Sequence, residues 1–196
     1  MSPSVPRRPV VIAEHTPNPE SMKLVVHLAV EAQGCRDFDD PVEASAGSPL
    51  AARLFRVEGV RRVYVDSGFV TVTKDPDASW EDLGQPLVRA LQEHVLAGEA
   101  WLRPGFASER LADAGSGSED GVEARIRAWL EREIRPVVRL DGGDVALSSF
   151  KDGVVQLDLR GACAGCPMSF ETLKRRIEVQ IRREIPEVRS VVSTAP

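Results

Sequence analysis

Residues 154–181 read VVQLDLRGACAGCPMSFETLKRRIEVQI, and the change of period inside this stretch sets the architecture of the second half of the chain. Val154 to Leu159 reads as a strand. From Pro167 onward Phe170, Leu173, Ile177 and Ile181 fall on one face of a helix. Upstream, Val145 to Phe150 is a partner strand, joined through Lys151-Asp152-Gly153, a turn with glycine where a positive φ is wanted. Before it, Val122, Ile126, Trp129, Leu130 and Ile134 form a helical face that Pro136 is expected to stop. After Pro186, Val188 to Val192 is a last strand. The order αββαβ is too short to cover both faces of a sheet with helices, so helices on one face of a small sheet are expected.

The first half has similar punctuation. Val10 to Glu14 and Met22 to Leu28 read as strands around the turn Thr16-Pro17-Asn18-Pro19. Ser48-Pro49 opens a short helix carrying Leu50, Leu54 and Phe55, and Gly59 ends it. Val60 to Asp66 and Phe69 to Lys74 form a hairpin through Ser67-Gly68. Ser79 caps a helix in which Trp80, Leu83, Leu87, Leu91 and Val95 recur at spacings of three and four. The order is ββαββα. The expectation is an α+β chain of two small α/β domains, at 1–97 and 119–196, joined by a flexible linker at 98–118 that ends in Gly115-Ser116-Gly117-Ser118. Trp101, Leu102 and Phe106 are apolar enough for the first part of that linker to dock on a neighbour.

The chain has 196 residues, 42 % of them apolar and 28 % charged, which suits two domains with real cores. A net charge of −5 and a pI near 5.3 argue against a nucleic-acid partner. No apolar run has the length of a membrane span, and the opening MSPSVPRRP is not followed by a signal-peptide block, so no membrane partner and a cytoplasmic location are expected. Three cysteines, Cys35, Cys163 and Cys166, fit a reducing compartment better than a disulfide framework.

Cys163 and Cys166 are close enough in sequence to chelate one metal centre, with small residues between them that let backbone amides approach the sulfurs. They stand where a strand ends and a helix begins, and the amides and dipole of a helix start favour thiolate over thiol. Spacing alone leaves metal or cluster binding, thiol redox chemistry and no special role all open. The donor count narrows this. A tetrahedral thiolate site needs four ligands, this half has two cysteines and no histidine, and two chains on a twofold axis would supply four. Asp141-Gly142-Gly143-Asp144 reads as a tight turn rather than a cation site. Cys35 reads as incidental, the tryptophans as packing, and Lys174, Arg175, Arg176, Arg182 and Arg183 as a solvated helix face.

Arg135-Pro136, Asp141-Gly142-Gly143-Asp144, Gly161-Ala162-Cys163, Gly165-Cys166-Pro167 and Ile185-Pro186-Glu187-Val188 together resemble the Nfu family of iron–sulfur carriers, related to the C-terminal domain of NifU. The first half is similar to the family's N-terminal domain at Thr16-Pro17-Asn18-Pro19, Ser48-Pro49-Leu50-Ala51 and Phe55 to Val60. His15, Ala164 and Met168 depart from the family's usual residues. The resemblance implies a non-enzymatic carrier with a [4Fe–4S] cluster on Cys163 and Cys166, shared between the subunits of a homodimer. It also implies an upstream scaffold as donor and apo iron–sulfur proteins as acceptors. A Cys-x-x-C thiol–disulfide oxidoreductase and a structural zinc-bridged dimer are the competing readings.

Overall fold

The computed structural model describes residues 9–27, 34–106, 121–165 and 167–193, with the side chains of 167–172 excepted. Two sheets organise it.

The first contains β1 (Val11–His15), β2 (Ser21–Val26), β3 (Arg36–Phe38), β4 (Val60–Asp66) and β5 (Phe69–Lys74), in the order β1-β2-β5-β4-β3 with all pairs antiparallel. Helices α1 (Pro41–Gly47), α2 (Pro49–Leu54) and α3 (Trp80–Ala97) accompany it. Leu24, Val63, Val65, Val70 and Val72 form one core with Leu50, Leu54, Leu83, Leu87 and Leu91. Ser48 is the N-cap of α2, its hydroxyl accepting from Ala51 N–H at 2.9 Å, and it also donates to the carbonyl of Trp101. Trp101 is itself in this core, and Arg103 N–H bonds Gly47 O at 2.9 Å. The opening of the segment read as a linker is thus packed structure. Gly47 makes this possible, since a Cβ there would lie 2.6 Å from the Phe106 ring. Residues 107–120 lie outside the described residues.

The second sheet is β6 (Gly143–Lys151), β7 (Val154–Gly161) and β8 (Ser190–Ser193), with β6 and β7 antiparallel and β8 parallel to β7 after the crossover helix α6 (Pro167–Glu184). Val145, Leu147, Val155, Leu157 and Val191 pack on Ile126, Trp129, Ile134, Ile177 and Ile181. Pro136 does not stop the preceding helix. The chain runs through α4 (Val122–Trp129), a single π-helical turn (Leu130–Ile134) and α5 (Arg135–Leu140), and Pro136 falls in the first turn of the last piece. The π-turn absorbs the proline because the widened bonding frees the carbonyl its ring would otherwise meet.

Strand alternation puts Lys23, Tyr64, Asp66 and Thr71 on the face of the first sheet opposite its helices, where a solvated face would be expected. All four are nonetheless buried, because the second unit lies against them. No helix among the described residues is long and apolar enough to cross a membrane.

Candidate functional site

The loop after β7 is shaped by glycines. Gly161 and Gly165 have φ of 60° and 70°, a region that side-chain-bearing residues avoid. Ala164 N–H turns back to Gly161 O at 3.0 Å, and Cys163 N–H to Arg160 O at 3.3 Å. Beside it runs the turn between α5 and β6, where Gly142 N–H bonds Arg139 O at 3.2 Å and Gly142 O receives Ala162 N–H at 3.1 Å. Gly143 pairs with Gly161 across the β6–β7 ladder. The Cys163 Sγ packs directly on Gly143, where a Cβ would stand 2.6 Å from the sulfur.

Cys163 is only 8 % exposed and counts among the core residues of the second unit. Cys166 lies outside the described residues, so the structure places one of the two expected ligands. Asp141-Gly142-Gly143-Asp144 is a turn, and Asp144 faces inward, bound by Arg135 at 2.7 and 2.9 Å. Arg135 also holds Glu131 at 2.6 Å. Burial opposes the Arg135 charge, but the bonds to Asp144 and Glu131 outweigh it and raise its pKa.

Cys35, read as incidental to the chemistry, is a packing residue. It is buried, with Sγ 3.7 Å from both Asp144 Oδ2 and the Arg160 guanidinium. Burial and the nearby Asp144 and Asp66 carboxylates push its thiol pKa up against the opposing pull of Tyr64 and Arg160, which suits a protonated structural thiol. The readings of Trp101 and Trp129 as packing stand, since both are core residues. Arg175, Arg176, Arg182 and Arg183 are exposed.

What the sequence did not show is a line of side chains from the first sheet reaching the loop. Lys23, Thr71, Tyr64 and Asp37 are successive cross-strand neighbours on β2, β5, β4 and β3. Thr71 Oγ1 donates to Gly142 O at 2.5 Å, Lys23 Nζ to Leu140 O at 3.1 Å, and the Tyr64 ring abuts Gly161. Asp37 Oδ2 accepts from Gly161 N–H at 3.0 Å, and from outside the line Asn18 Nδ2 donates to Ala162 O at 3.2 Å. Arg139 bonds Asp66 at 2.8 Å. Asn18 comes from the turn Thr16-Pro17-Asn18-Pro19, which the sequence marked as a turn but not as a contact.

Burial raises the Asp37 carboxyl to about 6, more than Arg62, Gly161 N–H and Arg160 lower it. The folded chain therefore holds this proton more tightly than the unfolded one. The charged carboxylate is a cost at neutral pH that fades as pH falls through about 6. Asp37→Asn keeps an acceptor for Gly161 and removes the charge. It should raise stability by about 1 kcal/mol at pH 7.5, with the gain shrinking by pH 5. Melting temperatures of both chains across that range check this, and a pH-independent difference would contradict it.

Residues 126–192 match the NifU-like domain, and residues 11–98 match the family described as scaffold protein Nfu/NifU N terminal. The chain is 38 % identical over 179 residues to the human NFU1 iron-sulfur cluster scaffold homolog, mitochondrial, covering 91 % of this chain and 69 % of the human one. The chain belongs to the Nfu family. It is also 37 % identical over 180 residues to NifU-like protein 4, mitochondrial, of Arabidopsis thaliana, covering 91 % of this chain and 63 % of that protein. To the Drosophila persimilis NFU1 homolog it is 36 % identical, over 96 % of this chain and 66 % of the relative. The chain thus spans about two thirds of the length of these Nfu relatives. The solution NMR structure of a NifU-like protein from Saccharomyces cerevisiae aligns with 53 % of this chain and 93 % of its own, at TM-score 0.46 and 20 % identity.

The expected cytoplasmic location does not stand, since these Nfu relatives are named as mitochondrial. Net charge and cysteine usage do not tell one reducing, aqueous compartment from another.

Proposed function

We propose that this Nfu chain is a non-enzymatic carrier that takes up an iron–sulfur cluster and passes it to apo-proteins. The cargo is a [4Fe–4S] cluster, held by Cys163 and Cys166 of each of two copies. The observation that carries the reading is the cysteine loop between β7 and α6, set against a glycine wall, in a chain related to named iron–sulfur cluster scaffolds. Cys163 and Cys166 are half of a four-thiolate set, and two Cys-x-x-C loops around a twofold axis provide all four. A centre owned half by each subunit is released when the two copies part, which suits hand-over. An upstream scaffold supplies it and apo iron–sulfur proteins receive it.

Anaerobic reconstitution with iron and sulfide tests this reading. A brown dimer with about two irons and two sulfides per chain is expected. A colourless monomer whose thiols oxidise reversibly would assign a thiol oxidoreductase, and a colourless dimer that chelators dissociate would assign a zinc bridge.

A further inference from the structure

The Cys163 sulfur sits against Gly143 within the core of the second unit. With only 8 % of the residue exposed, the sulfur in that position offers little of itself to a second chain. Binding a shared cluster requires it to come away from Gly143 and turn outward, and the backbone from Gly161 to Ala164, which carries the sulfur, governs how readily it does so. Most of what fixes that backbone from outside the second unit comes from one surface. Asp37 holds the Gly161 N–H, Asn18 holds the Ala162 carbonyl, and Thr71 and Lys23 hold the adjoining Gly142 and Leu140 carbonyls. These bonds join side chains of the first sheet and its β1–β2 turn to main-chain groups of the second unit. Water can replace each of them on separation, so these four bonds by themselves do not make the contact on the loop permanent.

We infer that the first sheet is a latch on the cysteine loop: Asn18, Lys23, Asp37 and Thr71 are positioning residues that hold Cys163 turned inward until the cluster is loaded, when the latch lets go. The inference rests on the carrier reading for the identity of the cargo, but the latch itself is testable without it. A carrier needs its thiolates shielded from oxidants and stray metals between deliveries, and an intramolecular contact does this without any partner.

The first arm uses the full-length apo chain and N-ethylmaleimide. Trypsin releases residues 161–174, bounded by Arg160 and Lys174, and fragmentation separates Cys163 from Cys166 in that peptide. Thr71→Val and Lys23→Met remove seam donors and leave the loop sequence untouched. Each should speed Cys163 labelling about tenfold, the two together more, with melting of the second unit unchanged. Asp37→Asn, which keeps the acceptor, should label no faster than the native chain. The second arm follows amide exchange of residues 161–165 by mass spectrometry, where loading should raise exchange at Gly161 as its bond to Asp37 is lost. Unchanged Cys163 labelling in folded Thr71→Val and Lys23→Met chains overturns the latch. So does a loaded dimer in which Gly161 keeps its protection, which would make the first sheet a permanent support for the loop. Failure of the native chain to take up any cluster overturns the carrier reading instead, and the labelling arm still decides the latch.

Discussion

Serine in place of either Cys163 or Cys166 should reduce the iron retained after reconstitution from about two per chain to none measurable, while both units stay folded. Serine keeps the shape but not the chemistry. Its hydroxyl stays protonated where a thiol ionises, and a hard oxygen is a poor match for iron that prefers sulfide and thiolate. In a bridged dimer each substitution removes two of four ligands at once, so the loss should be abrupt. Stability should change little, because the second core rests on Ile126, Trp129, Leu157, Ile177 and Ile181. Cys163→Ser exchanges one buried atom and should cost about 1 kcal/mol. Iron and sulfide analysis beside a thermal melt reads both quantities. A Cys166→Ser chain that kept its full complement of iron would sink the subunit-bridging scheme.

The second large effect concerns Arg135. Asp144 is 1 % exposed, and Arg135 supplies two hydrogen bonds to its carboxylate. Arg135→Ala leaves that charge buried beside the raised thiol of Cys35 and should destabilise the chain by about 3–5 kcal/mol. The companion variant Arg135→Met with Asp144→Leu removes both charges and should recover most of the loss, because the expense lies in the orphaned carboxylate rather than in the missing attraction. Urea unfolding midpoints separate the two. A single substitution costing under about 1 kcal/mol would mean that Asp144 takes up a proton or water reaches it. The effect should extend to the cysteine loop, since Asp144 follows Gly143, the residue on which the Cys163 sulfur rests.

Much of this was legible in the order of residues. Both hairpins follow from alternating apolar positions that close on a glycine with positive φ, Gly68 at 87° and Gly153 at 81°. The cysteine loop follows from the change of period at Gly161. The misses have physical reasons. β3 is three residues long and begins Arg36-Asp37, and α1 buries only Ala44 and Gly47, so neither presents a periodic apolar face. Pro136 carried a stop signal that the π-turn neutralised. The seam was hidden more deeply, because Lys23, Asp66 and Thr71 alternate along their strands as solvated residues do. Their partners are main-chain carbonyls and one arginine of the other unit, and sequence patterning does not record an acceptor that every residue possesses.

The π-turn at Leu130–Ile134 also sets an angular phase. One residue more than the regular pitch advances everything after it by about 100° around the helix axis. Ile126 and Trp129 before the turn and Val138 after it pack in the second core, while Arg135 and Arg139 after it reach Asp144 and Asp66. One rod thereby addresses two neighbours that a uniform helix would meet in the wrong rotation. Losing a single residue there would act less as a shortening than as a twist, swinging both arginines off their carboxylates and Val138 out of the core while Ile126 and Trp129 stay in place.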